Sequence, residues 1–296
     1  MNSSPLRYPG GKSLMTNFFV DLFHRNGLQG IVYAEPYAGG AGAAINLLLN
    51  GHVNEIMIND ANIGVYSFWY YLIHDSEHFI QVVQNIPVTL SEWHKQKEII
   101  TNGEKPSFEL GVATFFMSRT NRSGVILGGS IGGSTEEKQN NAKYKIDCRF
   151  NKKELTQRLK TIAAKKDHIK VTNEDALDFL RQLNNNVFVY LDPPYYVKGK
   201  SLYMNHYTGK DHEKLAYYLQ NEADFNWVLS YDDVSQIRNL YAHSELYRFP
   251  LRYTVSKKQI GYELLTHSAN IRFPECLEIR RTHSRNIFIE RITEQA

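Results

Sequence analysis

The sequence predicts an α/β fold in which a parallel sheet is interrupted by a mainly helical insertion. Two observations lead to this prediction. A strand, a glycine-rich turn, a helix and a second strand follow one another near the N-terminus, which is the order of a βαβ unit. Short segments rich in β-branched and aromatic residues then return only after residue 166, beyond a long stretch of helical pattern.

The first βαβ unit begins with the apolar run 31–34, which ends in the turn 35–42, Glu-Pro-Tyr-Ala-Gly-Gly-Ala-Gly. A helical pattern covers 43–49, and 55–60 is typical of a strand that closes on Asp60. Small residues at a strand end let the backbone approach a ligand, and the following helix offers free N–H groups. Asp60 is placed to accept hydrogen bonds from ribose hydroxyls. Tight-turn packing alone also explains such a glycine turn.

The segment after this unit predicts helices over 65–117, with breaks at 86–87 and 101–103. The glycine-rich stretch 121–142 predicts no stable helix or strand. Asn151, with Glu154 three residues later, predicts the N-cap of a basic helix that extends to about residue 164. The aromatic run 68–71 is typical of a helix core.

Strand patterns resume at 169–172, 187–191 and 227–230, and a late one covers 286–289. Asp211 is expected to cap a helix that continues through Gln220. We therefore predict a catalytic domain formed by 1–65 and 166–296, and an inserted domain formed by 66–165.

Composition excludes several classes of protein. The 296 residues are 42% hydrophobic, enough for a core without disulfides or metals. Cys148 and Cys276 lie far apart and show no ligand spacing, so we expect reduced thiols and no metal site. The chain shows neither a basic-then-apolar leader nor an apolar run of about 18 residues, and we expect a cytoplasmic protein.

Positive charge is concentrated in one segment. Residues 119–166 contain twelve Lys and Arg and four Asp and Glu, a net charge of +8, whereas the whole chain carries +3. The remainder therefore carries −5. This distribution indicates either a polyanion docked at one place or a solvated charged helix, and charge alone does not decide between them.

The N-terminal motif 6–13, Leu-Arg-Tyr-Pro-Gly-Gly-Lys-Ser, resembles a phosphate-binding loop but has Leu6 where that loop needs its first glycine. Nucleotide hydrolysis is therefore disfavoured. A Pro-Gly-Gly turn with Lys12 and Tyr8 is instead suited to close over a carboxylate and a flat ring.

The most specific motif is Asp192-Pro193-Pro194-Tyr195, which directly follows an apolar strand. Two prolines stiffen the backbone and remove two N–H donors. Asp192 and the Pro193 carbonyl then both accept hydrogen bonds from one NH₂ group, and Tyr195 offers a ring for stacking. An adenine amine is a poor nucleophile, because its lone pair is delocalised into the ring. Two acceptors that hold it towards tetrahedral geometry localise that lone pair without a strong base.

Taken together, these motifs resemble the DNA adenine methylase (Dam) family of amino-methyltransferases. The matching segments occur in the family's order: 6–12, 35–42 and 192–195, with 118–124 similar to its recognition signature and 207–215 and 230–232 similar to later motifs. Ala41 departs from the family pattern aromatic-x-Gly-x-Gly, and the glycines of 128–133 depart from its recognition region.

The resemblance implies a Rossmann-like S-adenosylmethionine-dependent methyltransferase sheet with an inserted target-recognition domain. It implies that the enzyme methylates N6 of adenine at specific sites in double-stranded DNA. Asp192, Pro193, Pro194 and Tyr195 would hold the flipped adenine. The cofactor would be bound by Tyr8, Gly10, Gly11, Lys12, Glu35, Pro36, Tyr37, Gly39, Gly40, Asp60, Asp175 and Asp192.

A base inside a duplex must be rotated out before it reaches such a pocket, which costs a few kcal/mol. We expect the basic insertion to supply this energy through contacts to bases and phosphates. The candidates are Arg119, Asn121 and Arg122 for recognition, and Lys143, Lys145, Arg149, Lys152 and Lys153 for phosphates. Arg119 is equally compatible with a structural ion pair.

Two alternatives stay open from the sequence. The same chemistry would suit an RNA substrate, and a non-catalytic DNA-binding subunit would keep the fold with a degenerate pocket. The recognised site, the oligomeric state and a cognate restriction endonuclease as partner are not determined by the sequence. The segment 196–207 is expected to close over DNA as a loop.

Overall fold

The computed structural model describes residues 3–197, 207–253, 259–273, 278–280 and 286–293. Most of the loop expected at 196–207 lies outside the described residues. None of the helices in the described ranges is long and apolar enough to cross a membrane.

An eight-stranded sheet forms the centre of the described structure. Its order is β10-β6-β7-β5-β4-β1-β2-β3, and the strands from β1 to β5 pair in parallel whereas β6, β7 and β10 are antiparallel. The strands are β1 (Val32–Glu35), β2 (Glu55–Asn59), β3 (Ile169–Thr172), β4 (Val187–Leu191), β5 (Asn226–Asp232), β6 (Tyr247–Tyr253), β7 (Gln259–His267) and β10 (Glu290–Arg291). The strand order reverses at β1, which lies between β2 and β4. In open α/β sheets ligands bind at this switch point, beyond the carboxyl ends of the strands.

A separate hairpin is formed by β8 (Glu278–Arg280) and β9 (Asn286–Phe288). The late strand expected at 286–289 is therefore present, but it pairs outside the main sheet. The antiparallel strands β6 and β7 were not predicted.

The helices begin at the capping residues that the sequence offers. Asn62, Thr89, Ser107 and Asn151 each accept a backbone N–H with their side chains. The helices are α1 (Thr16–Asn26), α2 (Gly42–Leu49), α3 (Ile63–His74), α4 (Ser76–Asn85), α5 (Leu90–Asn102), α6 (Phe108–Thr120), α7 (Glu136–Asn141), α8 (Lys152–Ala163), α9 (Ala176–Arg181), α10 (Gly209–Asn221) and α11 (Ser235–Leu240).

Two helix boundaries differ from the sequence prediction. The glycine-rich stretch contains the short helix α7, because Thr135 caps it through the N–H of Lys138. Helix α10 is capped by Thr208, and Asp211 is the third helical residue, whose carboxylate closes a capping box. The expectation that Asp211 is itself the cap was wrong.

Both faces of the sheet are covered, and alternate residues of each strand point to opposite faces. Phe188 and Tyr190 of β4 belong to one hydrophobic cluster with α1, α2 and the helices of 63–163. Val189 and Leu191 belong to a second cluster with α9, α10 and α11. The inserted helices thus share a continuous core with one face of the sheet, and Phe68 lies in that core as its pattern predicted.

Candidate functional site

A cleft opens at the switch point, beyond the carboxyl ends of β1, β2 and β4. Its empty volume is about 910 Å³, including space open to solvent. Glu35 ends β1, Asp60 follows β2 and Asp192 follows β4, and all three line the cleft. The N-terminal turn at Gly10 and Gly11 forms the opposite wall.

Glycine is required at one position of the turn after β1. Gly39 has φ +45°, and a Cβ there would lie 2.7 Å from the ring of Tyr8. Its carbonyl accepts the indole N–H of Trp69, and its N–H donates to Asp60 Oδ2 at 2.8 Å. The turn therefore holds the N-terminal segment and the acid after β2 together.

Ala41, the departure from the family pattern, adopts the left-handed conformation with φ 44° and ψ 40°. A side chain in this region costs roughly 1–2 kcal/mol. The backbone of the turn thus keeps a conformation that favours glycine, although an alanine occupies it.

Glu35 is buried and turned towards the beginning of α2. Its Oε1 accepts the N–H of Ala44 at 2.9 Å and the hydroxyl of Tyr33 at 3.1 Å. Burial raises the pKa of Glu35 to about 8, which these hydrogen bonds only partly oppose. Asp60 also accepts the N–H of Asn62 at 2.9 Å, and desolvation raises its pKa to about 6.

Asp192 lies in a network that connects the two ends of the chain. Lys12 Nζ donates to both carboxylate oxygens of Asp192 at 2.7 Å, and lies 3.5 Å from Glu263 Oε1 on β7. Ser230 on β5 donates to Asp192 Oδ1 at 2.9 Å. A carboxylate offers about four lone-pair sites. Among the described residues, Lys12 and Ser230 occupy three of them and leave one on Oδ2.

Tyr195 differs from its expected orientation. The side chain is 4% exposed, and its hydroxyl donates to Glu263 and accepts from Lys12 Nζ at 3.2 Å. The ring therefore faces the interior, because its hydroxyl finds two charged partners there. An exposed stacking face on Tyr195 is absent from this conformation.

The residues expected to bind the cofactor lie together. All of them line the cleft: Tyr8, Gly10, Gly11, Lys12, Glu35, Pro36, Tyr37, Gly39, Gly40, Asp60, Asp175 and Asp192. Of the four motif residues, Asp192 and Pro194 line it, whereas Pro193 and Tyr195 are buried and are not among its lining residues. Asp175 also caps α9, since its carboxylate accepts the N–H of Leu177.

Most of the residues expected to bind DNA are accessible. Arg122, Lys143, Lys145, Arg149 and Lys153 are exposed, and Lys152 is partly exposed. Their contact with DNA stays a prediction.

Two recognition candidates require correction. Asn121 is 0% exposed; its amide accepts the indole N–H of Trp93 and donates to the carbonyls of Val125 and Ile126. It therefore shapes the turn after α6 and is not available to DNA. Arg119 is 9% exposed, and its Nε donates to the Pro5 carbonyl, so it does not stand on the surface as a base reader.

Glu263, Ser230 and Tyr207 were not predicted as site residues. Tyr207 lines the cleft and shares a hydrogen bond of 2.6 Å with the hydroxyl of Tyr37. The only sequence signal for Ser230 was its place in a later family motif. Glu263 showed none, because a lone acid in an apolar strand is not distinctive without its partner.

Comparison with known proteins identifies the family to which this chain is similar. The chain matches the family model of the D12 class N6 adenine-specific DNA methyltransferases over residues 8–255. A comparison with curated proteins gives no match. Among solved structures, M. capricolum TrmK in complex with S-adenosyl-homocysteine is similar at 8% identity over 85% of this chain and 69% of that chain, with a TM-score of 0.34. LPL1258 from Legionella pneumophila is similar at 10% identity over 92% and 86%, with a TM-score of 0.31.

Proposed function

We propose that this chain, which belongs to the D12 class N6 adenine-specific DNA methyltransferase family, grips the amine of an extruded adenine with Asp192 and the Pro193 carbonyl. The enzyme transfers a methyl group from S-adenosylmethionine to N6 of adenine in DNA. The observation that carries the residue assignment is the position of Asp192. It lies at the wall of the cleft with one lone-pair site left on Oδ2.

The cleft suits the cofactor. It opens at the switch point of the sheet, Asp60 retains acceptor capacity for ribose hydroxyls, and Tyr8, Tyr37 and Tyr207 provide flat walls. We assign Gly39 and Gly40 to the close approach of the backbone, and Asp175 to the neighbourhood of the cofactor's adenine. S-adenosylmethionine, when bound, supplies an electrophilic methyl group on a sulfonium.

The network of Asp192 explains how the amine is oriented. Lys12 and Ser230 hold the carboxylate in one rotamer, so that the remaining acceptor of Oδ2 has a defined direction. An amine proton donated to this oxygen directs the nitrogen lone pair away from the ring plane. The carboxylate is also placed to receive the proton that the amine loses after methylation.

Duplex DNA is the substrate form that we propose, docked on the exposed cations of the insertion. The net charge of +8 on 119–166 supports this. The domain division at residues 65 and 166 stays part of the proposal, as does a cognate restriction endonuclease.

Base extrusion provides the test. Sequencing that detects methylated bases, applied to DNA from cells expressing the chain, identifies the target site. The fluorescence of a duplex that carries 2-aminopurine in place of that adenine should increase when the enzyme and S-adenosylhomocysteine are added, because extrusion relieves stacking. Methyl incorporation into structured RNA of the same sequence should be low. Unchanged fluorescence at saturating binding would refute extrusion.

A further inference from the structure

A second cavity lies behind the glycine turn of the cofactor cleft. Its empty volume is about 680 Å³, including space open to solvent, and it shares Tyr8, Gly11, Gly40 and Gly42 with that cleft. Arg7 reaches it from the N-terminal segment, Arg119 from the end of α6 and Arg158 from α8. We call it the arginine cavity.

Within the described part of the chain, the positive charges of this cavity exceed the negative charges beside them. No acidic residue of the described ranges lines it. Arg158 donates to Glu154 and to the Ser4 carbonyl, so that among the described residues the three guanidinium groups have one carboxylate partner. Arg7 Nη1 is buried and has no hydrogen-bond partner among the described residues.

The lowered pKa values of the arginines agree with this excess of positive charge. Burial, together with the neighbouring Arg158 and Arg7, lowers the pKa of Arg119 to about 9. Burial and the nearby Arg149 lower the pKa of Arg7. An anion in the cavity would offset both the burial of these charged groups and the repulsion between them.

The remaining lining suits an oxyanion. Ser13 and Ser123 line the cavity together with the three arginines, so residues with hydroxyl and guanidinium donors surround one space. Arginine binds phosphate oxygens bidentately, which makes this donor set typical of a phosphate site.

We propose that the arginine cavity binds one backbone phosphate of the DNA substrate. The proposal rests on the DNA docking described above and adds a site to it. Arg119 and Arg158 belong to the basic segment 119–166, and the exposed Arg122 and Arg149 extend the positive charge from the cavity to the surface. A DNA strand that follows this surface reaches the cavity with its backbone.

Arg158 is the residue to test, because its side chain is 25% exposed whereas Arg119 is buried. Arg158→Gln should weaken binding of the target duplex about tenfold at ~150 mM salt. It should also reduce the slope of log Kd against log salt by about one, the effect of one lost phosphate contact. Fluorescence anisotropy over a series of NaCl concentrations measures both.

Lys160→Gln is the matched control. It removes the same charge from the same helix, and residue 160 points about 200° away from residue 158. It is exposed and outside the cavity. Its salt slope should stay near that of the unmodified protein. Equal slopes for the two variants would overturn the proposal.

The cofactor's carboxylate is the other anion within reach, and calorimetry separates it. Arg158→Gln should bind S-adenosylmethionine normally in the absence of DNA. A tenfold loss of cofactor affinity with an unchanged salt slope would assign the cavity to the cofactor and refute the phosphate. Both variants are compared after circular dichroism and thermal melting show a native fold. Arg158→Lys keeps the charge but loses the guanidinium group that binds phosphate bidentately. This variant should retain the slope of log Kd against log salt and lose affinity.

The outcome is independent of base extrusion. If 2-aminopurine brightens with the unmodified enzyme while Arg158→Gln keeps its salt slope, the arginine cavity is refuted and the proposed function stands. If fluorescence stays unchanged while the slope falls, extrusion is refuted and the phosphate site stands.

Discussion

Acidic groups at the cleft beyond the strand ends are buried, whereas the cations on the basic surface of the insertion are exposed to solvent. Glu35 in the cleft and Glu263 beside Lys12 are buried, and burial raises their pKa values to about 8 and about 7. On the surface, Lys143 and Lys145 are exposed to water. Burial makes each carboxylate depend on its few partners, whereas exposed cations act through their number. Single changes in the cleft should therefore have large effects, and single changes on the surface small ones.

The largest effect is expected for Asp192→Ala. Loss of the acceptor that orients the amine should lower methyl transfer about 10³-fold, while cofactor binding largely survives. A tritiated-methyl assay measures turnover and calorimetry measures cofactor affinity. Asp178→Ala, which removes an exposed carboxylate on α9, serves as control and should retain activity. Turnover by the Asp192 variant near that of the control would reject the assigned role.

The pH dependence of stability tests the buried acid of the turn. The folded pKa of Glu35, about 8, lies above its unfolded value of 4.5, so the folded state binds more protons between these values. Stability should therefore fall as the pH rises through this window, by an amount on the order of a few kcal/mol. Glu35→Gln mimics the protonated form and should reduce the fall, and Asp60 and Glu263, whose pKa values are also raised, should account for the remainder.

Urea unfolding at pH 5 and pH 8.5 measures that difference. The exposed Glu77 on α4, changed to Gln, should leave the pH dependence as it is. If Glu35→Gln shows the full fall in stability, the buried carboxyl is not its source.

Asn121→Ala probes the boundary between the two regions. Its amide makes three buried hydrogen bonds, and their loss leaves the partners unsatisfied, so the free energy of unfolding should drop by about 2 kcal/mol. The protein that remains folded should bind DNA with the same slope of log Kd against log salt as the unmodified protein. A lower slope without loss of stability would restore Asn121 to the DNA contacts.

The smallest effect per residue is expected on the surface. Changing Lys143 and Lys145 together to Gln should weaken DNA binding about tenfold and reduce the salt slope by up to about two. Lys214→Gln on α10 removes an exposed cation outside the basic segment and should change neither. If the double variant and the control share one slope, the phosphate contacts lie elsewhere.

Much of the fold follows from short stretches of sequence. The turn after β1, the acid after β2 and the N-cap at Asn151 were predicted correctly, because each depends on neighbours within a few residues. The antiparallel strands β6 and β7 were missed, since they are recognisable mainly by their pairing with each other and by the pairing of β7 with β5.

Within the site, sequence placed Asp192 and Lys12 in motifs that suit the same reaction, and the order of the strands brings them into contact. Tyr195 and Arg119 show the limit of that reasoning. Both are residue types that often contact nucleic acids, and both are buried, with the Tyr195 hydroxyl and the Arg119 Nε hydrogen-bonded inside the protein.

By itself, the sequence determined the family, the chemistry and the local elements, because motifs and hydrophobic periodicity are properties of short windows. Only the tertiary structure decided which side chains are desolvated and which partners they meet. It paired Lys12 with Asp192 across 180 positions, set Glu263 behind them and gathered three arginines around one cavity. Burial and charge compensation depend on segments distant in the chain, so no local pattern contains them.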